Sequence, residues 1–218
     1  MARPVLKRSH IERGVVRAIA DKGLRGTTIQ DIADAADVSP GLLYRYWKNR
    51  DALAIEVYRR HYIALFERFV AAAAKEHDTW GRLAAIVRGF LALADEDPVL
   101  VKFLLFSLHE LSAKVPVEKS ARALLRRVLA EGMRAGQLRK MDVELACELV
   151  IGLIIQPVIG GLYHYLPTPF ARLLDEIMGA LRRVLGTERE SARRAIQCVP
   201  PQSGPRKTGV RLRSPNSH

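Results

Sequence analysis

Cysteine is nearly absent. The 218 residues hold two, Cys147 and Cys198, too few and too far apart for a disulfide framework or for metal-ligand spacing. The six histidines form neither HxxxH nor HExxH, and no nucleotide-cradling GxGxxG or GxxxxGK[ST] occurs. No Ser/His/Asp or Cys/His ordering suits nucleophilic catalysis, so an enzyme is not expected, and neither a cofactor nor a metal. Alternation with period two never persists, which argues against a sheet. The N-terminus has arginines and Glu12 where an export signal needs an apolar run. The expectation is a cytoplasmic protein with reduced thiols.

Acids are also scarce, 23 against 35 Lys and Arg, and the net charge is +12. Residues 1–50 and residues 186–218 each carry a net +5, leaving +2 for the middle. Basic ends on a near-neutral body point to a polyanion partner, with nucleic acid ahead of an anionic membrane. The run Leu149–Leu166 has no charged residue over 18 positions, near the lower limit for a membrane span. Gln156, Pro157 and His164 interrupt it and acids precede it. A helix buried between subunits fits better than lipid, and no membrane partner is expected.

What is present is helical periodicity. Ile11, Val15, Ala18 and Ile19 share a face of a first helix that Gly23 ends. Thr27, with Gln30 three residues on, reads as a capping box for a second helix. Asp37 occupies a turn, Ser39 caps a third helix, and Pro40 takes its first position. Asn49 caps a long helix towards Ala74, with Asp51 and Glu56 as its early acids. Further helices are expected at about 79–94, 98–111, 117–135, 141–164 and 169–185, nine in all. Residues 186–218 hold four prolines and scattered arginines, and read as a disordered basic tail.

Two short helices joined by a turn, the second with its N-terminus free, are the parts of a helix-turn-helix. Helix 28–35 would cross the phosphates while helix 40–46 enters the major groove. An ordinary helical hairpin has the same outline. However, the second helix is too short to be a useful core element, and Tyr44, Arg45, Tyr46, Lys48 and Arg50 crowd hydroxyls and cations into seven positions.

The stretch Thr27-Thr28-Ile29, Asp31-Ile32-Ala33, Ala36, Val38-Ser39-Pro40-Gly41, Leu43-Tyr44-Arg45-Tyr46-Trp47, Asn49-Arg50 and Ala52-Leu53 resembles the DNA-binding signature of the TetR-like one-component transcriptional regulators. Asp37 stands where the family usually has glycine, Trp47 where it has Phe, and Arg50 where it has lysine. The resemblance implies an all-α protein with three parts. An N-terminal three-helix DNA-binding domain (1–50) precedes a larger helical ligand-binding and dimerisation domain (51–185), and the tail (186–218) follows. It implies that Thr28, Tyr44, Tyr46 and Arg50 grip phosphate, while Gln30, Pro40, Gly41, Leu42 and Arg45 face base edges. Gln30 suits adenine, Arg45 guanine, and Leu42 a thymine methyl. Lys48 stands between those two roles. Ile32, Ala36, Val38, Leu43 and Trp47 belong to the core. Arg3, Lys7 and Arg8 form a loose arm, either a solvated end or an extra DNA contact.

One such head reads too little DNA for a unique operator, so a homodimer on a pseudo-palindrome is implied. Its interface would use helices 141–164 and 169–185, with Leu145, Leu149, Gly152, Leu153, Gln156, Ile159, Gly160, Leu173, Leu174, Ile177, Leu181 and Val184. The family also implies a cage for a small-molecule effector, whose binding releases DNA. Its candidate lining is Tyr58, Tyr62, Phe66, Trp80, Arg88, Phe103, Phe106, His109 and Tyr163, which suits a largely apolar ligand. The function expected is a ligand-responsive regulator, a repressor by preference. The competing reading is a ligand-independent, nucleoid-type DNA binder, which the basic tail favours.

Overall fold

A computed structural model describes residues 3–187. The side chains of Arg3 and Lys7, and the tail from Glu188 onward, lie outside the described residues. Among those described, ten α-helices and no strand occur. Helix α1 (Arg3–Gly26) is broken where Gly23 takes φ 75° and ψ 162°, a conformation glycine adopts without steric cost. Helices α2 (Ile29–Ala35), α3 (Pro40–Tyr44) and α4 (Arg50–Ala73) follow. Helices α5 (Thr79–Glu96), α6 (Pro98–Phe106), α7 (Leu108–Leu111) and α8 (Ala121–Arg134) continue the body. It closes with α9 (Val143–Leu162) and α10 (Leu174–Leu185).

The start signals work as expected at two sites. Ser39 Oγ accepts the Leu42 N–H at 3.3 Å with Pro40 in the first turn, and Asn49 Oδ1 accepts that of Ala52 at 2.8 Å. Asp37 bends the chain at φ 47°. At α2 the cap sits one residue later than the sequence pattern suggests. Thr28 caps, and the box partner is Asp31, whose carboxylate accepts the Thr28 N–H at 2.7 Å. Thr27 is instead buried, with its hydroxyl donating to the Gly23 and Ala18 carbonyls. The expected helix 98–111 divides at Ser107, and 117–135 begins with a 3-10 turn so that α8 starts at Ala121. That makes ten helices rather than nine.

Two close approaches hold the frame. A Cβ on Gly14 would stand 2.5 Å from the Ala36 Cβ, so α1 and α2 meet at a contact only glycine permits. A Cβ on Gly161 would collide with the buried ring of Phe170, which seats the chain before α10 on α9. One core runs from Ile11 and Ile19 through Leu43, Leu53 and Tyr58 to Leu129, Val150 and Leu181.

One described helix, α9, is long and apolar enough to cross a membrane. Ala146, Cys147, Val150, Ile154 and Val158 are buried against the bundle, and Arg122 and Arg126 pair with Glu144 at its start. The buried Cys147 thiol has its pKa pushed up by desolvation. Leu145 (53% exposed), Leu149 (37%), Gly152 and Gln156 form an uncovered stripe at helical spacing. On α10 the interface expectation needs correction. Ile177 and Leu181 are buried within the protomer, because the apolar face of this strongly amphipathic helix turns onto α5 and α9. Its exposed face carries Asp175, Glu176 and Arg183.

Candidate nucleic-acid interface and effector region

The head is a rigid presentation of α3. Leu43 (0% exposed) and Trp47 (8%) are anchored in the core beside Ile32 and Ala36. Anchoring those two side chains leaves Tyr44, Arg45 and Tyr46 outside, with the tyrosines 56% and 67% exposed. Large aromatics in water have a cost, and exposed phenol hydroxyls at and just past the C-terminal end of α3 are suited to phosphate oxygens. Arg45, Lys48, Gly41 and Gln30 are exposed on the same head, and the Gln30 amide donates to Asp34 at 2.7 Å. Pro40 and Leu42 are half-buried, and Leu42 packs against the core.

Two of the expected phosphate grips are engaged internally. The Thr28 hydroxyl is tied to Asp31, as donor at 2.7 Å and as acceptor of its N–H at 3.1 Å. The Arg50 guanidinium is turned inward, donating to the carbonyls of Leu24 (3.0 Å) and Thr27 (2.8 Å) and pairing with Asp51. It thereby satisfies carbonyls left over where α1 ends. Lys22 bonds Asp31 at 2.5 Å, and this pairing, with the Thr28 cap, holds that carboxyl far below its ordinary pKa. Arg8 belongs to α1 rather than to a loose arm, and pairs with Glu56.

The nine expected effector contacts separate into groups. Tyr58 is fully buried, stacked on Tyr62 (5.5 Å between centroids) and edge-on to Phe103 (5.9 Å). Half-buried Phe106 stacks on the exposed Tyr163 at 5.9 Å, next to Tyr165. Trp80 lies under the Arg182 guanidinium at the α4–α5 turn. It therefore lies beyond the end of α4, which runs some 15 residues, about 22 Å, past Tyr58. Phe66 is half-buried, whereas Arg88 and His109 are exposed. These residues do not form one lining.

The sequence pattern did not single out His61 or Ser107. The Tyr58 hydroxyl, His61 Nε2 and the Ser107 hydroxyl are buried without a hydrogen-bond partner. Burial raises the Tyr58 phenol pKa and lowers that of the His61 imidazole, so both stay neutral near pH 7. Position 61 was legible as the i+3 neighbour of Tyr58; the orphan state of Ser107 was not. An open groove of about 460 Å³ also runs between α1, α2 and α6, past Lys22, Asp31, Val99 and Lys102. None of the nine residues lines it.

A capped α2, a tight turn and a short α3 on a helical body define a helix-turn-helix DNA-binding protein. The family model "Bacterial regulatory proteins, tetR family" matches residues 13–57. HTH-type transcriptional regulator BetI of Burkholderia lata is 30% identical over 168 residues, covering 72% of this chain and 84% of that protein. The fatty acid metabolism regulator protein of Bacillus subtilis is 26% identical over 149 residues, covering 66% and 77%. Among solved structures, the regulator FadR from Bacillus subtilis in complex with stearoyl-CoA has a TM-score of 0.71. It is 23% identical, with 80% of this chain and 97% of that one covered, and it shares the fold. The chain belongs to the tetR family of bacterial regulatory proteins. It is a DNA-binding transcriptional regulator, and its relatives are regulators rather than enzymes.

Proposed function

We propose that the protein is a cytoplasmic, homodimeric repressor that holds a pseudo-palindromic operator and lets go when a small, largely apolar effector enters its body. The division into a head (1–50), a body (51–185) and a tail (186–218) goes with that reading. The observation that carries it is the head: Tyr44 at the end of α3, and Arg45 and Tyr46 in the turn that follows, stand exposed while Leu43 and Trp47 are locked into the core. Arg45 reads a base, and Tyr44 and Tyr46 grip phosphate. Two heads are joined through the exposed Leu145-Leu149-Gly152-Gln156 stripe of α9, with the outer face of α10 beside it.

The effector site proposed is the α4–α6 seam at Tyr58, Tyr62 and Phe103. Its aromatic walls suit an apolar body, and the partnerless hydroxyls of Tyr58 and Ser107 suit a polar group on that body. A relative named for fatty acid metabolism makes long-chain acyl compounds the first effectors to try.

Selection from a random duplex pool tests the reading. Wild-type protein should enrich one pseudo-palindrome. Arg45→Ala should lose discrimination at one base pair of each half-site, while Tyr44→Ala should weaken all sequences alike. Unchanged discrimination by Arg45→Ala would remove its reading role. Enrichment of no particular sequence would favour the nucleoid-type alternative.

A further inference from the structure

Trp47 does more than fill the head's core. Its indole N–H donates to Glu56 Oε2 at 2.8 Å. The other oxygen of that carboxylate, Oε1, is held by Arg8 of α1 and by Arg60 one turn further along α4 (3.4 Å). Arg60 also pairs with Glu12 of α1, and Arg8 lies 3.7 Å from Glu12. The end of the α3 segment, α1 and α4 therefore meet at one carboxylate. A phenylalanine at position 47 offers no donor for this connection.

We infer that Glu56 is a positioning residue for DNA recognition: it pins Trp47, and with it the exposed face of α3, to α4 and α1. The inference rests on the regulator reading above. The indole bond is charge-assisted and partly screened from water, the conditions in which a hydrogen bond fixes geometry. Glu56 also lies two residues, about 3 Å of helical rise, before Tyr58. Any displacement of α4 at the Tyr58–Tyr62 pair is thus passed to Trp47 through a rigid helix. The carboxylate is both the holding point of the head and the place where a shift of α4 reaches it.

Charge alone predicts the opposite result, which makes the sign of the mutant effect decisive. Removing a carboxylate from a DNA-binding head increases its attraction for phosphate. If Glu56 positions α3, Glu56→Ala should nevertheless bind more weakly, by about tenfold, the scale of one charge-assisted hydrogen bond. The probe is the duplex that wild-type protein enriches from a random pool. Trp47→Phe should lose affinity to a similar degree, and the double variant should be little worse than either single one. Glu56→Gln keeps an acceptor for the indole and should retain most of the affinity.

The second readout is hydrogen exchange of the two indole N–H groups in full-length protein, where Trp80 is the internal control. Glu56→Ala should speed exchange at Trp47 by tenfold or more and leave Trp80 unchanged. General destabilisation would accelerate both. Equal or tighter DNA binding by Glu56→Ala, or unaltered exchange at Trp47, overturns the proposal. If wild-type protein enriches no duplex, the regulator reading fails, while the exchange experiment still decides whether Glu56 pins Trp47.

Discussion

Gly14→Ala should damage the head although alanine is the better helix former. Within a helix the substitution gains about 1 kcal/mol from propensity alone. Against that, the new Cβ would sit 2.5 Å from the Ala36 Cβ, 2.8 Å from its N and 2.9 Å from its Cα. Carbon atoms rest at about 3.5–4 Å, so α1 and α2 must part by about 1 Å. Two of the three obstacles are backbone, which no rotamer change relieves. Overpacking costs about 1–3 kcal/mol, and a backbone clash belongs at or above the top of that range. The net loss is then about 2 kcal/mol or more, a fall in Tm of at least roughly 4–8 °C for a body of this size. Thermal unfolding followed by circular dichroism measures it, with Gly41→Ala as reference, since nothing lies within 4 Å of its new Cβ. Operator affinity should fall too, because Ala36 leads directly into the turn before α3. A Gly14→Ala protein as stable as wild type would refute the close-contact reasoning.

Leu145→Glu with Leu149→Glu places charge on the uncovered stripe of α9 and should convert the proposed dimer to a monomer in analytical ultracentrifugation; an unchanged dimer would move the interface elsewhere. Tyr58→Phe removes a buried hydroxyl that has no partner, so the urea midpoint should rise, by about 1 kcal/mol in stability, while the response to an acyl effector should weaken; a loss of stability would mean the hydroxyl is satisfied. His61 has its pKa lowered chiefly by burial, although Glu12 and Asp97 oppose the shift. The unfolded chain therefore takes up the proton first, and the stability this group confers is complete above about pH 6.5 and declines below it. Urea midpoints at pH 7 and pH 5.5 should differ less for His61→Gln than for wild type, and an equal difference would reject the assignment.

Local signals were legible where one residue settles the matter. Ser39-Pro40, Asn49, Asp37 and Gly23 each announce a cap or a turn, and each occupies it. Where two neighbours compete, the pattern is ambiguous. Thr27 and Thr28 are both capping types, and the choice depends on Asp31 being better placed than Gln30 to answer the backbone. Ser107 ends α6 inside an apolar run that reads as continuous. Roles that depend on a partner far along the chain were not legible. Gly14 looks neutral until Ala36 is set against it, and Glu56 looks like an ordinary acid early in α4 until Trp47 turns towards it. Arg50 looks like a surface cation, but its side chain closes the end of α1. The cage that the resemblance implied put Trp80 and Tyr58 in one lining, whereas the length of α4 separates them.

The inward Arg50 also bears on how the protein should behave as ionic strength changes. A cation releases counterions from DNA only if it has charge to offer, and several in the head are already committed. Lys22 is held by Asp31, Arg25 by Glu110, and Arg50 by Asp51 and two carbonyls. Just beyond α3 the exposed cations are Arg45 and Lys48, and the phosphate grips proposed for the tyrosine hydroxyls beside them would displace no ions. Each displaced phosphate counterion contributes about −0.9 to the slope of log affinity against log salt. Two heads with two such cations each give about −4 from this surface, well below what the arginine and lysine content of residues 1–50 suggests. A fourfold rise in salt would still weaken binding through this surface by roughly 150-fold, but by far less than if every cation of the head were free to meet phosphate.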